Sequence, residues 1–169
     1  MLYPSTIDTL ARTPSVLRAL LDGLPDEATC TPGPEGWSAR DVVAHLLSVH
    51  YASNLQRVRW MLDADDPFVP NIDEEQVLES SGMRAWPVAR LLDEFAAARG
   101  EAMEMVRGLR PDQLGRTGRH EVAGTITIEG ILHHVAYHDL AHIAQIAKLL
   151  SQPLDARRGA MATSYPDEE

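Results

Sequence analysis

The sequence predicts an all-α protein, a four-helix bundle formed by one domain. Four segments of about 18 to 26 residues carry apolar side chains at helical spacing, prolines and glycines fall between them, and no convincing pair of strands is visible. At 169 residues with 44% hydrophobic and 24% charged side chains, the chain can bury one sizeable core.

The first helix spans about Ser5 to Gly23, with Thr13-Pro14 reading as a cap and first-turn proline that restarts or bends it. The second starts sharply at Trp37-Ser38-Ala39-Arg40-Asp41-Val42. Ser38 and Asp41 have the spacing of a capping box in its aspartate form, and Trp37 and Val42 that of a hydrophobic staple. This helix is expected to reach Asp63. The connection from Ala64 to Pro87 contains Pro67, Pro70, Gly82 and Pro87, with a short helix expected around Ile72 to Ser80, and connections of this length are usually functional or disordered. The third long helix covers about Val88 to Leu109, ended by Pro111. Thr125-Ile126-Thr127-Ile128 alternates like a strand but reads better as the entry to the last helix, capped by Thr127, which runs to Leu150. The bundle domain is thus expected over residues 1–150, with a polar tail over 151–169.

Charge and composition narrow the function. Fifteen Lys and Arg against 25 Asp and Glu give a net charge of -10, which repels phosphate backbones, so nucleic acid is not an expected partner. No window approaches the apolar length of a membrane span, and the N-terminus lacks a basic region followed by an apolar run. The single Cys30 excludes a disulfide framework within the chain and fits a reducing compartment. A cytoplasmic protein acting on a small molecule is the expectation.

The densest chemistry is in the last helix, where four of the seven histidines lie between His133 and His142. Side chains four residues apart share a helix face. Projection gives an apolar arc of Ile128, Ile131, Leu132, Val135, Ile143, Ile146 and Leu149, with His142 near its centre and His138 towards one edge. His134 lies farther round, and His133 and His120 read as surface residues. Asp139 also falls in the buried arc, where an acid needs a partner; orienting a ligand histidine is one such role. In the second helix, Val42, Val43, Leu46, Val49, Trp60 and Met61 define an arc that includes His50. His45 lies about 140° from His50 around that helix, so one ion cannot take both. The candidate ligand set is His50, His138 and His142, suited to zinc, nickel or iron with positions left for water or substrate. No His-Glu-x-x-His motif is present, which disfavours peptidase chemistry. Arg57 on the inward arc is expected to form a salt bridge.

The run Trp37-Ser38-x-x-Asp41-Val42-Val43-Ala44-His45-Leu46-Leu47-x-x-His50, together with Tyr137-His138-Asp139-x-x-His142-Ile143-x-Gln145-Ile146, resembles the DinB/YfiT-type metalloenzyme superfamily over about residues 5–150. The resemblance implies an up-down-down-up bundle, often a homodimer, binding a divalent metal through three histidines. It carries the upstream ligand to His50 and the downstream pair to His138 and His142, and leaves His45 outside the set. It does not fix the reaction. Relatives include enzymes that use a low-molecular-weight thiol, so a thiol-dependent S-transferase is the first expectation, with the metal lowering the thiol pKa. A metal-dependent hydrolase activating water is the alternative, its proton shuttle being Asp139, Glu129 or a carboxylate from the Ala64 to Pro87 segment. A non-catalytic dimeric bundle is the third.

Overall fold

The computed structural model describes residues 5–164; the reading of the extreme N-terminus and of the last five tail residues lies outside the described residues. Four long helical segments form the bundle: α1 (Thr6–Leu21), α3 (Ala39–Ala52) continued by α4 (Asn54–Asp63), α6 (Val88–Arg107) and α7 (Ile128–Asp155). Short α2 (Asp26–Cys30) and α5 (Glu74–Ser81) lie in the connections. Helices α1 and α3 each pack against both α6 and α7. Leu10 meets Arg99 while Arg18 meets Asp93, so α1 and α6 are antiparallel. Asp41 lies by Arg84 just ahead of α6 and His50 by Ala98, so α3 runs with α6. His45 meets His138, whereas Val58 and Met61 of α4 share a core with Ile128, which reverses α7 relative to α3. The topology is up-down-down-up, as expected.

Local chemistry explains the boundaries. Ser38 Oγ accepts from the Asp41 amide at 3.2 Å and the Asp41 carboxylate accepts from the Ser38 amide at 2.9 Å, forming the capping box that the sequence predicts. The expected single second helix breaks at Ser53, whose φ of -142° is not helical and whose hydroxyl donates to the Val49 carbonyl at 3.4 Å. A serine able to compete for the backbone in this way makes a natural break. Thr127 caps α7 by accepting from Gly130 N at 3.0 Å. That helix passes the expected end at Leu150, includes Pro153 and stops at Asp155, and a 3-10 turn follows over Gly159–Ser164, within the stretch expected to be tail.

Two expectations are corrected. A small sheet is present: β1 (Phe68–Val69) pairs parallel with β2 (Thr117–His120), which pairs antiparallel with β3 (Gly124–Thr127). The alternation at Thr125 and Ile126 was a strand signal after all, and its partner was missed because Thr117-Gly118-Arg119-His120 is polar and short. Gly118 lets the strand pack closely, since a Cβ there would approach the Met61 side chain to 3.1 Å and that of Val69 to 3.2 Å, and both would have to give way. Likewise, α1 neither restarts nor breaks at Pro14. A helix-interior proline deprives the carbonyl four residues earlier of its donor. Here that carbonyl, Leu10 O, accepts from Arg99 Nη1 at 3.1 Å.

Arg99 does more than this. Its guanidinium grips Asp139 through both Nη atoms, with Nη2 to Oδ1 at 3.0 Å, and Thr13 Oγ1 donates to Asp139 Oδ2 at 2.7 Å. Arg99 and Asp139 are 1% and 0% exposed, so neither charge has water to fall back on. Removing one partner of such a pair costs about 3–5 kcal/mol, because the other stays buried and uncompensated. Asp139→Ala is expected to lose about that much in urea denaturation, and the paired replacement Arg99→Met with Asp139→Leu to recover most of it; equal loss in both would contradict the assignment.

Candidate metal centre

The register of α7 that Asp139 sets turns His138 and His142 towards α3. There they meet His45, not His50. One ring nitrogen from each of His45, His138 and His142 lies within 4.8 Å of the other two. The Nε2 atoms of His45 and His138 are 3.3 Å apart, close to the roughly 3.3 Å between nitrogens tetrahedrally bound at zinc distances. His142 donates from Nδ1 to Gln145 Oε1 at 2.8 Å, which leaves Nε2 with its lone pair outward.

His50 is on the other side of α3. Its Nε2 donates to the Ala98 carbonyl of α6 at 3.1 Å, and its ring rests edge-on to Phe95. The projection correctly separated His45 from His50, but the one it chose does not sit with His138 and His142. It assumed one buried face, whereas every residue from Asp41 to His50 is buried. Helix α3 packs against α6 and α7, and α5 with the following 3-10 turn covers the remainder. Both histidines therefore point inwards, and only His45 points at α7. Asp139, expected to orient a ligand histidine, bonds instead to Arg99 and Thr13, and among the described residues its carboxylate makes no hydrogen bond to a histidine.

Two rings of the triad are held neutral. Burial, then the neighbouring His142 and Arg84, lowers the His45 pKa to about 4; burial, then His142 and His45, lowers that of His138 to about 3. Neutral imidazoles present lone pairs at pH 7 without first losing a proton. The Nδ1 atoms of both rings are buried and lack a hydrogen-bond partner. Three imidazole nitrogens converging in this way, two of the rings otherwise poorly satisfied, fit a divalent first-row metal.

Around the triad is a cavity of about 390 Å³ lined also by Trp37, Gln145 and the carboxylates of Glu35, Glu74 and Glu75. Glu74 is the nearest: its Oε2 is 3.5 Å from His45 Nε2 and 4.0 Å from His138 Nε2. It opens α5, which Asp73 caps by accepting from Gln76 N at 3.0 Å. Arg84 braces this helix by bonding Glu75 at 2.6 Å and lying 5.0 Å over the Trp37 ring, whose edge meets His45. Residue-level sequence reasoning missed Glu74, although the length of its connection was a signal. Gln145 and Trp37 were noted only for their motifs. Glu129 is not among the residues lining this cavity.

A family model, the DinB superfamily, matches residues 9–146. The chain belongs to the DinB superfamily. A protein of Oceanobacillus iheyensis, provisionally named a metal-dependent hydrolase, is 26% identical over 114 residues, 68% of this chain and 65% of that one. YfiT of Bacillus subtilis, likewise provisionally named a metal-dependent hydrolase, is 27% identical over 145 residues, 85% of this chain and 81% of its own. The solved structure of YfiT, described as a probable metal-dependent hydrolase with an unusual four-helix bundle topology, superposes with a TM-score of 0.80 at 26% identity, covering 89% of this chain and 86% of that one. Among the described residues no helix is long and apolar enough to cross a membrane.

Metal content separates the two upstream histidines. His45→Ala and His142→Ala are expected to purify without stoichiometric metal by mass spectrometry, whereas His50→Ala keeps it and loses about 1–3 kcal/mol of stability. Acid tests the buried rings. An unfolded histidine binds its proton near 6.5, while folded His45 and His50 do so near 4 and His138 near 3. The unfolded state therefore holds more protons across that window, and stability present at neutral pH is lost as pH falls from about 6.5 towards 4. Urea midpoints of metal-stripped protein should drop markedly between about pH 7 and about pH 5; a flat profile would rule out buried neutral rings.

Proposed function

We propose that this chain is a metal-dependent hydrolase of a small molecule, with His45, His138 and His142 holding a divalent metal and Glu74 acting as general base. The observation that carries the reading is the Glu74 carboxylate, which lines the cavity 3.5 Å and 4.0 Å from two of the three ligand-bearing nitrogens and is 43% exposed. A bound divalent ion would supply Lewis acidity, acidifying water and polarising a substrate carbonyl. Glu74 accepts the water proton as the oxygen attacks and returns it to the leaving group, a role available to a carboxylate within hydrogen-bond reach. Gln145 fixes the His142 tautomer, and Trp37, with Arg84 stacked on its ring, walls the cavity.

The names of the relatives support hydrolysis over the thiol-dependent transfer that the sequence put first. Ionising a thiol also releases a proton that a carboxylate can take, so Glu74 can serve either nucleophile and the preference for water rests on the names of the relatives. Glu74→Gln is expected to keep its metal and lose about 10²- to 10⁴-fold in kcat on activated esters or amides. Loss of metal along with activity would make Glu74 a fourth ligand and remove the base from this reading. Turnover that appears only with added low-molecular-weight thiol would establish transfer in place of hydrolysis.

A further inference from the structure

A second cavity, of about 560 Å³, shares Glu74 with the metal centre and is lined by Arg57, Asn71, His120, Thr125, Thr127 and His134 among others. His134 is one turn before His138 on α7, their ring centroids 6.1 Å apart. The two cavities thus adjoin along α7 and α5. Their chemistry differs: carboxylates crowd the first, and the second is furnished with hydrogen-bond donors.

Arg57 is the main one. The sequence suggested a salt bridge for it, but among the described residues its side chain makes neither an ion pair nor a hydrogen bond, and its half-buried Nε is without a partner. The Glu74 carboxylate on the same cavity wall acts on Arg57 without forming an ion pair with it, and a guanidinium held partly away from water is costly unless something else completes it. The hairpin supplies a second donor. His120 Nδ1 accepts from the amides of Val122 and Ala123 at 3.2 and 3.1 Å, so the ring proton is on Nε2. Burial and the nearby Arg57 keep this ring neutral by lowering its pKa. A neutral N–H donor, a planar cationic fork and threonine hydroxyls describe a receptor for an oxyanion.

We propose that this cavity is the recognition subsite for a carboxylate on the substrate, anchored by Arg57 and assisted by His120. A carboxylate is favoured over a phosphate dianion because the cavity offers one permanent positive charge and has Glu74 on its wall. A single guanidinium matches the two oxygens of a carboxylate and neutralises it fully. The substrate class is then an ester or amide with a free carboxylate several bonds from the scissile carbonyl, one end on Arg57 and the other at the histidine triad. The subsite rests on the hydrolase reading only for that second end.

Binding tests it without turnover. The full chain is titrated with butyrate, with its neutral isostere butyramide and with inorganic phosphate, following amide NMR shifts of Thr125, Thr127 and Gly130. Butyrate is expected to give saturable shifts, with butyramide and phosphate at least about tenfold weaker. Arg57→Gln should weaken butyrate by about tenfold or more, and Arg57→Lys, which keeps the charge but not the fork, should fall between, with helical circular dichroism confirming that both fold. His45→Ala, stripped of metal, should bind butyrate as the parent does. Equal binding of butyrate and butyramide, tighter binding of phosphate, or an unaffected Arg57→Gln would overturn the subsite. So would loss of butyrate binding in His45→Ala, which would put the carboxylate on the metal instead. If butyrate tracks Arg57 as expected yet neither mono-4-nitrophenyl glutarate nor 4-nitrophenyl butyrate is hydrolysed, the subsite stands and the hydrolase reading falls.

Discussion

The contact between Arg99 and Asp139 is the constraint on which the rest of this molecule depends. Its guanidinium satisfies the Leu10 carbonyl left without a donor by Pro14, and its fork fixes Asp139 in the centre of the bundle. Three helices are joined at one point: α1 through Leu10 and Thr13, α6 through Arg99 and α7 through Asp139. A buried acid cannot rotate into solvent or slide along the interface without stranding its charge. The rotation of α7 is therefore set, and His138 and His142, on the neighbouring stripe of the same helix, are aimed at α3 as a consequence. Apolar packing alone would tolerate more slippage, since one leucine in an arc can replace another.

Much of this was legible from the residues. The capping box at Ser38, the cap at Thr127, the four helical segments and the inward phase of His138, His142 and Asp139 are local matters, decided within one or two turns. What failed was long-range. Asp139 was seen to need a partner, yet nothing in the periodicity of α7 could identify Arg99, forty residues earlier on another helix. The choice between His45 and His50 failed for a related reason. A helical projection assigns one buried face, and α3 has buried residues all round because a connection between helices folds over it. The same connection delivers Glu74, and its short helix was expected within two residues of where it lies. The carboxylate's position beside two histidines is a product of how α5 docks, and docking leaves little trace in a single sequence. The sheet was missed on similar grounds, because strands of two to four polar residues have almost no periodicity to read.

The site combines two kinds of support. His45, His138 and His142 stand on long helices whose opposite faces form the core, so their spacing changes only if the bundle does. Gln145, three residues after His142 on the same helix, steadies one ring from within. Around them the environment divides by charge, with Glu35, Glu74 and Glu75 on the side of the triad and Arg57 with the hairpin donors beyond. A chain with a net charge of -10 repels anions at long range. In the proposed subsite an anionic ligand would be selected by close fit to a few partly exposed donors, a property of the cavity and not of the surface field.

That Glu74 opens an eight-residue helix within a connection, while the histidines belong to the bundle, would make metal binding and the proposed turnover separable. Local opening in a folded chain follows cooperative units, and a short helix docked on the outside can open at a lower free energy than the helices beneath it. When α5 lifts, the three imidazoles stay in register and the carboxylate leaves them. On the proposed mechanism the metal ligands belong to the bundle helices and the base to a connection between them. Substitutions along the α5 interface could then tune the rate over a wide range with the ligand set and its affinity untouched, giving related chains room to diverge in activity around a common metal centre.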